Sequence, residues 1–142
     1  MNDELLIPYA PILVESTRSI GYSFEAALAD IIDNSISANA KEIHVNFMST
    51  DPAWLCVLDN GCGMSKDELR TAMKYGSKSS LDRRSDTDLG RFGLGLKTAS
   101  LSQCRCLTVV SKKNGVISSA RWDLDYVVAC ENWALLWLDY SE

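Results

Sequence analysis

Gly90-Arg91-Phe92-Gly93-Leu94-Gly95-Leu96-Lys97-Thr98 is the stretch on which the reading of this 142-residue chain turns. Glycines just ahead of a helix start offer free backbone N–H groups and the positive end of a helix dipole, both suited to phosphate. Lys97 adds a formal charge. Two familiar phosphate loops are excluded. Gly90, Gly95, Lys97 and Thr98 follow G-x-x-x-x-G-x-K-T, one residue longer than the P-loop pattern. The polar run Ser79–Leu89 before them cannot be the buried strand a P-loop requires. A dinucleotide fingerprint fails because Thr98 stands where its third glycine belongs.

Outward from that stretch, Gly76–Leu89 is polar and without periodicity, and carries Arg83, Arg84 and three aspartates. A loop of that length inside a compact domain is uncommon unless it has a function. Trp54–Leu58 reads as a short apolar strand, stopped by Asp59-Asn60-Gly61-Cys62-Gly63. A carboxylate at a strand end can accept a hydrogen bond from an exocyclic amine. Glycines let backbone approach a planar ring, and Met64 can supply an apolar contact. Ser65 and Glu68 make a capping box for a helix over Lys66–Lys74.

Ser23 is an N-cap for a helix over Phe24–Ala38 that Asn39 ends. At 100° per residue, Phe24, Leu28, Ile31, Ile32 and Ser35 share one side; Asp30, Asp33, Asn34 and Ser37 share the other. Asp30 and Asn34 stand at i, i+4, so their side chains neighbour each other. That pair suits a magnesium-bound triphosphate, because an amide oxygen ligates a hard cation without adding charge and a carboxylate can orient a water. Pro8–Ser19 is expected to form a short first helix. Lys41–Met48 alternates, with Ile43, Val45 and Phe47 on the face expected to be buried and His44 on the outer one. Cys104–Ser111 and Val116–Leu124 are spaced as a hairpin, and Trp133–Leu138 as one more strand. The sum is one domain over residues 1–142, an α/β two-layer sandwich with helices on one face of a mainly antiparallel sheet.

Composition narrows the function classes. Hydrophobic residues are 46% and charged residues 23%, an ordinary globular balance. A net charge of -5, from 14 Lys+Arg against 19 Asp+Glu, argues against nucleic-acid binding through the whole surface. No apolar run approaches the roughly 20 residues that span a bilayer, and Met1–Glu4 carry no basic start of a signal peptide; a cytoplasmic protein is expected. Five cysteines without C-x-x-C, and a single histidine, argue against zinc. Cys104 and Cys106 are expected to lie on one side of a strand as small core residues. Trp122, Trp133 and Trp137 are read as core or interface residues.

Taken together, Ala29-Asp30-Ile31-Ile32-Asp33-Asn34-Ser35, Asp59-x-Gly61-x-Gly63-Met64 and Gly93-x-Gly95 resemble, in order and spacing, the GHKL superfamily: gyrase-type topoisomerases, heat-shock chaperones, histidine kinases and MutL-type repair ATPases. The stretch from Gly90 to Ser100 is most similar to the microrchidia-like and related bacterial members. The resemblance implies a Bergerat-fold ATP-binding domain. It makes Asp30 the general base and Asn34 the magnesium ligand. It puts Asp59, Gly61, Gly63 and Met64 around the adenine, and Gly93, Gly95, Lys97 and Thr98 at the phosphates. Gly76–Leu89 becomes a lid over the nucleotide. ATP and magnesium are the implied ligands, ADP and phosphate the products. The implied partners are a second copy on ATP binding and further domains of a longer chain. Two departures stand out. Asp30 takes the place usually held by glutamate, one methylene longer, and the family's late strand with its threonine has no assignment here, since Thr108 sits too early. Two other functions compete: a sensor that binds ATP without turnover, and a histidine-kinase-like phosphotransferase, which Asp30 disfavours.

Overall fold

A computed structural model describes residues 9–19, 22–74 and 95–139. The order is α1 (Ala10–Arg18), α2 (Phe24–Ser37), β1 (Ile43–Met48), β2 (Trp54–Asp59), α3 (Lys66–Met73), α4 (Gly95–Gln103), β3 (Cys106–Lys113), β4 (Val116–Asp123), α5 (Leu124–Cys130) and β5 (Leu136–Leu138). This is the expected α/β fold, with every strand pair antiparallel. The sheet is divided in two, however: β1–β2, and β3–β4–β5 with β4 in the middle.

Local signals account for most element ends. Ser23 caps α2 by accepting from Ala26 N at 3.2 Å, and Ser65 and Glu68 close the capping box of α3. At the far end of α2, Asn39 takes a left-handed φ of 58°. Its N–H then reaches Ile36 O at 2.9 Å and Ala40 N reaches Ser35 O at 3.1 Å, a Schellman closure with asparagine in the glycine's place. Asn114 and Gly115, with φ of 52° and 79°, make the two-residue turn that joins β3 to β4. Helix α5 is absent from the sequence reading. Asp123 ends β4 and at once caps α5, accepting from Asp125 N and Tyr126 N, so no turn residue marks the change.

The core lies on one face of β3–β4–β5. Leu107 pairs with Trp122 and Val109 with Ala120, and these side chains meet Ala10 and Val14 of α1, Leu69 and Met73 of α3, Leu101 of α4, and Leu124 and Val127 of α5. Leu69 and Met73 are wholly buried; truncating either to alanine would cost about 2–5 kcal/mol. The opposite face carries the exposed Val110. Trp122 Nε1 donates to Met73 O at 2.9 Å and its ring meets Trp133 edge-on, at 6.2 Å. Trp137 is half-buried, with Lys66 and Arg70 over its ring.

Two expectations are corrected. The face of β1 expected to be half-buried is open: Phe47 is 69% and Val45 38% exposed, and Phe24 at the head of α2 is exposed as well. Alternation marks a face but not whether anything covers it. Cys104 is not in a strand; it packs against the core just after α4, whereas Cys106, the first residue of β3, is exposed. Among the described residues no helix is long and apolar enough to cross a membrane.

Candidate functional site

The turn after β2 is clamped from three sides. Asp59 Oδ2 accepts from the hydroxyl of Ser35, a buried residue of α2, at 2.8 Å, while Oδ1 accepts from Gly61 N at 2.8 Å. Cys62 N donates to Ala38 O at 2.9 Å, so the turn leans on the end of α2. Asn60 Oδ1 accepts from Lys41 N at 2.8 Å and Glu42 N at 3.0 Å. On the far side, Met64 N donates to the buried Ser111 hydroxyl of β3 at 2.7 Å. The glycines are there for space. A Cβ on Gly61 would sit 2.8 Å from Ala38 Cβ; one on Gly63, where φ is +65°, would sit 2.1 Å from Lys112 O. The carboxylate of Asp59 is therefore held by two donors in a turn with no slack.

One and a half turns back along α2 the environment is sparser. Asp30 and Asn34 are half-buried. Asp30 Oδ2 accepts from the Tyr22 hydroxyl at 2.8 Å. That bond first, then burial, then the carboxylate's charge, push the Tyr22 phenol above its usual range. Asn34 Nδ2 is buried and has no hydrogen-bond partner among the described residues. A buried amide end without a partner costs about 1–3 kcal/mol, which makes it a place where a further hydrogen-bonding group would stabilise. Asp30 and Asn34 thus project from a helix whose next residue, Ser35, holds Asp59.

The family model for histidine kinase-, DNA gyrase B-, and HSP90-like ATPases matches residues 22–142, which takes in all three motifs. The chain belongs to this family. It is similar to ATPase morc-1 of Caenorhabditis elegans, 30% identical over 66% of this chain and 11% of that protein. ATPase MORC2B of Mus musculus is 32% identical over 72% of this chain and 10% of its own length. DNA mismatch repair protein MutL of Chlamydia abortus is 35% identical over 48% of this chain and 12% of its own length. The match spans about a tenth of the length of these curated relatives. The chain is an ATP-binding domain of the GHKL ATPase type, the family that the motifs resemble.

In this ATPase domain the remaining site candidates fall into two groups. Gly93 and the lid candidate Gly76–Leu89 lie outside the described residues. Gly95 opens α4, Thr98 is half-buried one turn later, and Met64 is half-buried against the core. Lys97 is wholly buried, and its Nζ donates to Ala72 O at 2.7 Å near the end of α3. Burial pulls its amine down to about 8. In this arrangement the ammonium faces α3.

Three side chains at the site, Ser35, Ser111 and Tyr22, have partners that the sequence does not mark. Ser35 was placed with the apolar side of α2, where its polarity is the only hint that it needs a buried partner. Ser111 and Tyr22 make their contacts across 47 and 8 residues, and no local pattern marks either. A depression of about 700 Å³ between α1 and α5 is lined by Ile12, Glu15, Arg105 and Val128 among others. Its charges are already matched, Arg105 bonding Glu15 at 2.9 Å and Asp125 at 2.7 Å.

Proposed function

We propose that this domain binds magnesium-ATP at α2 and the Asp59 turn and hydrolyses it to ADP and phosphate, as the N-terminal ATPase unit, residues 1–142, of a longer protein. The observation that carries the reading is that one helix supplies Asp30, Asn34 and, through Ser35, the fixed carboxylate of Asp59. Asp59 would accept the exocyclic amine of adenine, with Gly61 and Gly63 keeping side chains out of the path of the ring and Met64 as an apolar neighbour. Gly93, Gly95, Lys97 and Thr98 remain the proposed phosphate contacts.

The residues fit a hard cation. Asn34 has an amide end with no partner among the described residues, and half a turn about its last bond would offer the oxygen instead of the nitrogen. No cluster of three or more His, Cys, Asp or Glu that could hold a metal exists among the described residues, so such an ion would draw most of its ligands from phosphate and water. Magnesium bound there would offset the charge of the triphosphate. Asp30 would then take the proton of the attacking water, which leaves the carboxylate protonated and the new P–O bond formed as the bond to ADP breaks. The ATP cycle would drive a switch in the longer chain, by pairing with a second copy on ATP binding or by a conformational rearrangement.

A second reading, ATP sensing without turnover, is favoured by the short reach of aspartate. A paired measurement on the full-length protein separates the two. Asp30→Asn is expected to bind ATP as the wild type does and to hydrolyse it roughly 10²–10⁴-fold more slowly. Asn34→Ala is expected to lose magnesium-ATP affinity itself. Unchanged turnover in Asp30→Asn removes Asp30 from the base role; a wild type that binds ATP and never turns it over leaves the sensor.

A further inference from the structure

Arg18 at the end of α1 and Tyr22 just ahead of α2 are both tied to the end of α4. Arg18 Nη1 donates to Leu101 O at 2.9 Å and to Cys104 O at 2.6 Å, and Gln103 Nε2 donates to Tyr22 O at 2.9 Å. Tyr22 is thereby held outside α2 while its hydroxyl reaches back to Asp30. Asp30 stands six residues into the helix, roughly 9 Å along the axis, a distance that only a long side chain covers from the N-terminal side.

We infer that Tyr22 is a positioning residue for hydrolysis: its hydroxyl pins Asp30 Oδ2, so that Oδ1 is the oxygen presented to the attacking water. The inference rests on the reading of Asp30 as the base. An aspartate carboxylate rotates about two side-chain bonds, and the charge-assisted hydrogen bond from Tyr22, its one partner among the described residues, restrains that rotation. Aspartate is the shorter of the two possible acids, so an error in its aim leaves less slack to reach the water. Tyr22 itself neither gains nor loses a proton in the reaction. The upward push on its phenol keeps it a donor at any neutral pH. The Gln103 bond extends the consequence to α4, because a shift of that helix end moves the backbone of the residue that aims the base.

Three arms test the inference on the full-length chain. The first uses no nucleotide. Tyrosines labelled with ¹³C at Cζ are titrated by NMR, with Tyr22 assigned by its loss in Tyr22→Phe. In the wild type Tyr22 is expected to titrate above the ordinary tyrosine range, and in Asp30→Asn to return toward it. The second is steady-state hydrolysis. Tyr22→Phe keeps the ring, and is expected to lower kcat about tenfold, the equivalent of one such hydrogen bond, with KM and ATP affinity unchanged. The third is the double variant, expected to be no slower than Asp30→Asn alone, because Tyr22 acts only through Asp30. Wild-type kcat in Tyr22→Phe overturns the inference. So does an equal loss in both backgrounds, which marks a merely structural tyrosine. If Asp30→Asn keeps wild-type turnover, the base reading fails instead, and the titration still reports whether the two side chains touch.

Discussion

The two carboxylates of the site are held in opposite styles. Asp59 sits in a turn where each of its oxygens has a donor, the flanking backbone is tied to α2 and β3, and two glycines leave no room for a methyl group. Among the described residues Asp30 has one partner, the Tyr22 hydroxyl, and its helical neighbour Asn34 carries a buried amide nitrogen with none. A site that binds a rigid planar ring gains from a rigid acceptor, since nothing need be ordered on binding. A site that must meet water, cation and phosphate gains from groups left open to them. On the proposed reading one helix serves both ends: its C-terminal turn holds Asp59, and its middle offers Asp30 and Asn34 to the nucleotide.

The largest effect should come from breaking the rigid end. Gly63→Ala places a side chain in a left-handed conformation and against Lys112 O. It is expected to cost about 2 kcal/mol or more, read as a lower urea midpoint at unchanged slope. If stability is unchanged, the turn is looser than its geometry implies and the contrast with Asp30 disappears.

Ser35→Ala is a smaller break in the same place. It removes one of the two donors to Asp59 and leaves a methyl in a buried site. Loss of stability near 1 kcal/mol is expected, together with weaker ATP binding by calorimetry and an unaltered kcat at saturation. A fall in kcat with intact affinity would mean that Ser35 serves the Asp30 end instead.

The smallest effect is electrostatic. Glu68 straps α3 to β3 through Lys113 Nζ, at 2.7 and 2.8 Å, beside the Asp59 turn. The Lys113 bond and then the Ser65 N–H hold its carboxyl down to about 2. Its folded value lies below its unfolded one, so its contribution is complete above about 4.5 and is lost as pH falls toward 2. Glu68→Gln keeps a capping residue but loses the charge, and is expected to flatten that part of the stability–pH curve. An unchanged slope between those pH values would show that the strap contributes nothing, as exposed ion pairs often do.

The sequence names the residues of this contrast but not how each is held. Asp30 and Asn34 at i, i+4, the Asp59-to-Gly63 turn and the Ser65–Glu68 box are local patterns, and local patterns survive translation into structure. What escaped depends on distance or on cover. The Ser35–Asp59 bond joins residues 24 apart. Lys97 is buried with its Nζ on Ala72 O, a contact 25 residues away that its place in the glycine stretch does not show. Val45 and Phe47 alternate as a buried face should, and nothing described covers them. Helix α5 hid behind a residue, Asp123, that finishes one element and begins the next.

The indole of Trp122 has an optical consequence. It is 4% exposed, bonds the carbonyl of Met73 at the last turn of α3, and lies edge-on to Trp133. A dry, fixed indole emits at shorter wavelength than a wet one such as Trp54, which is 49% exposed. The intrinsic fluorescence of the chain is therefore a mixture that acrylamide should separate, quenching Trp54 and sparing Trp122. The blue component is a built-in gauge of the C-terminal end of α3, readable without a label.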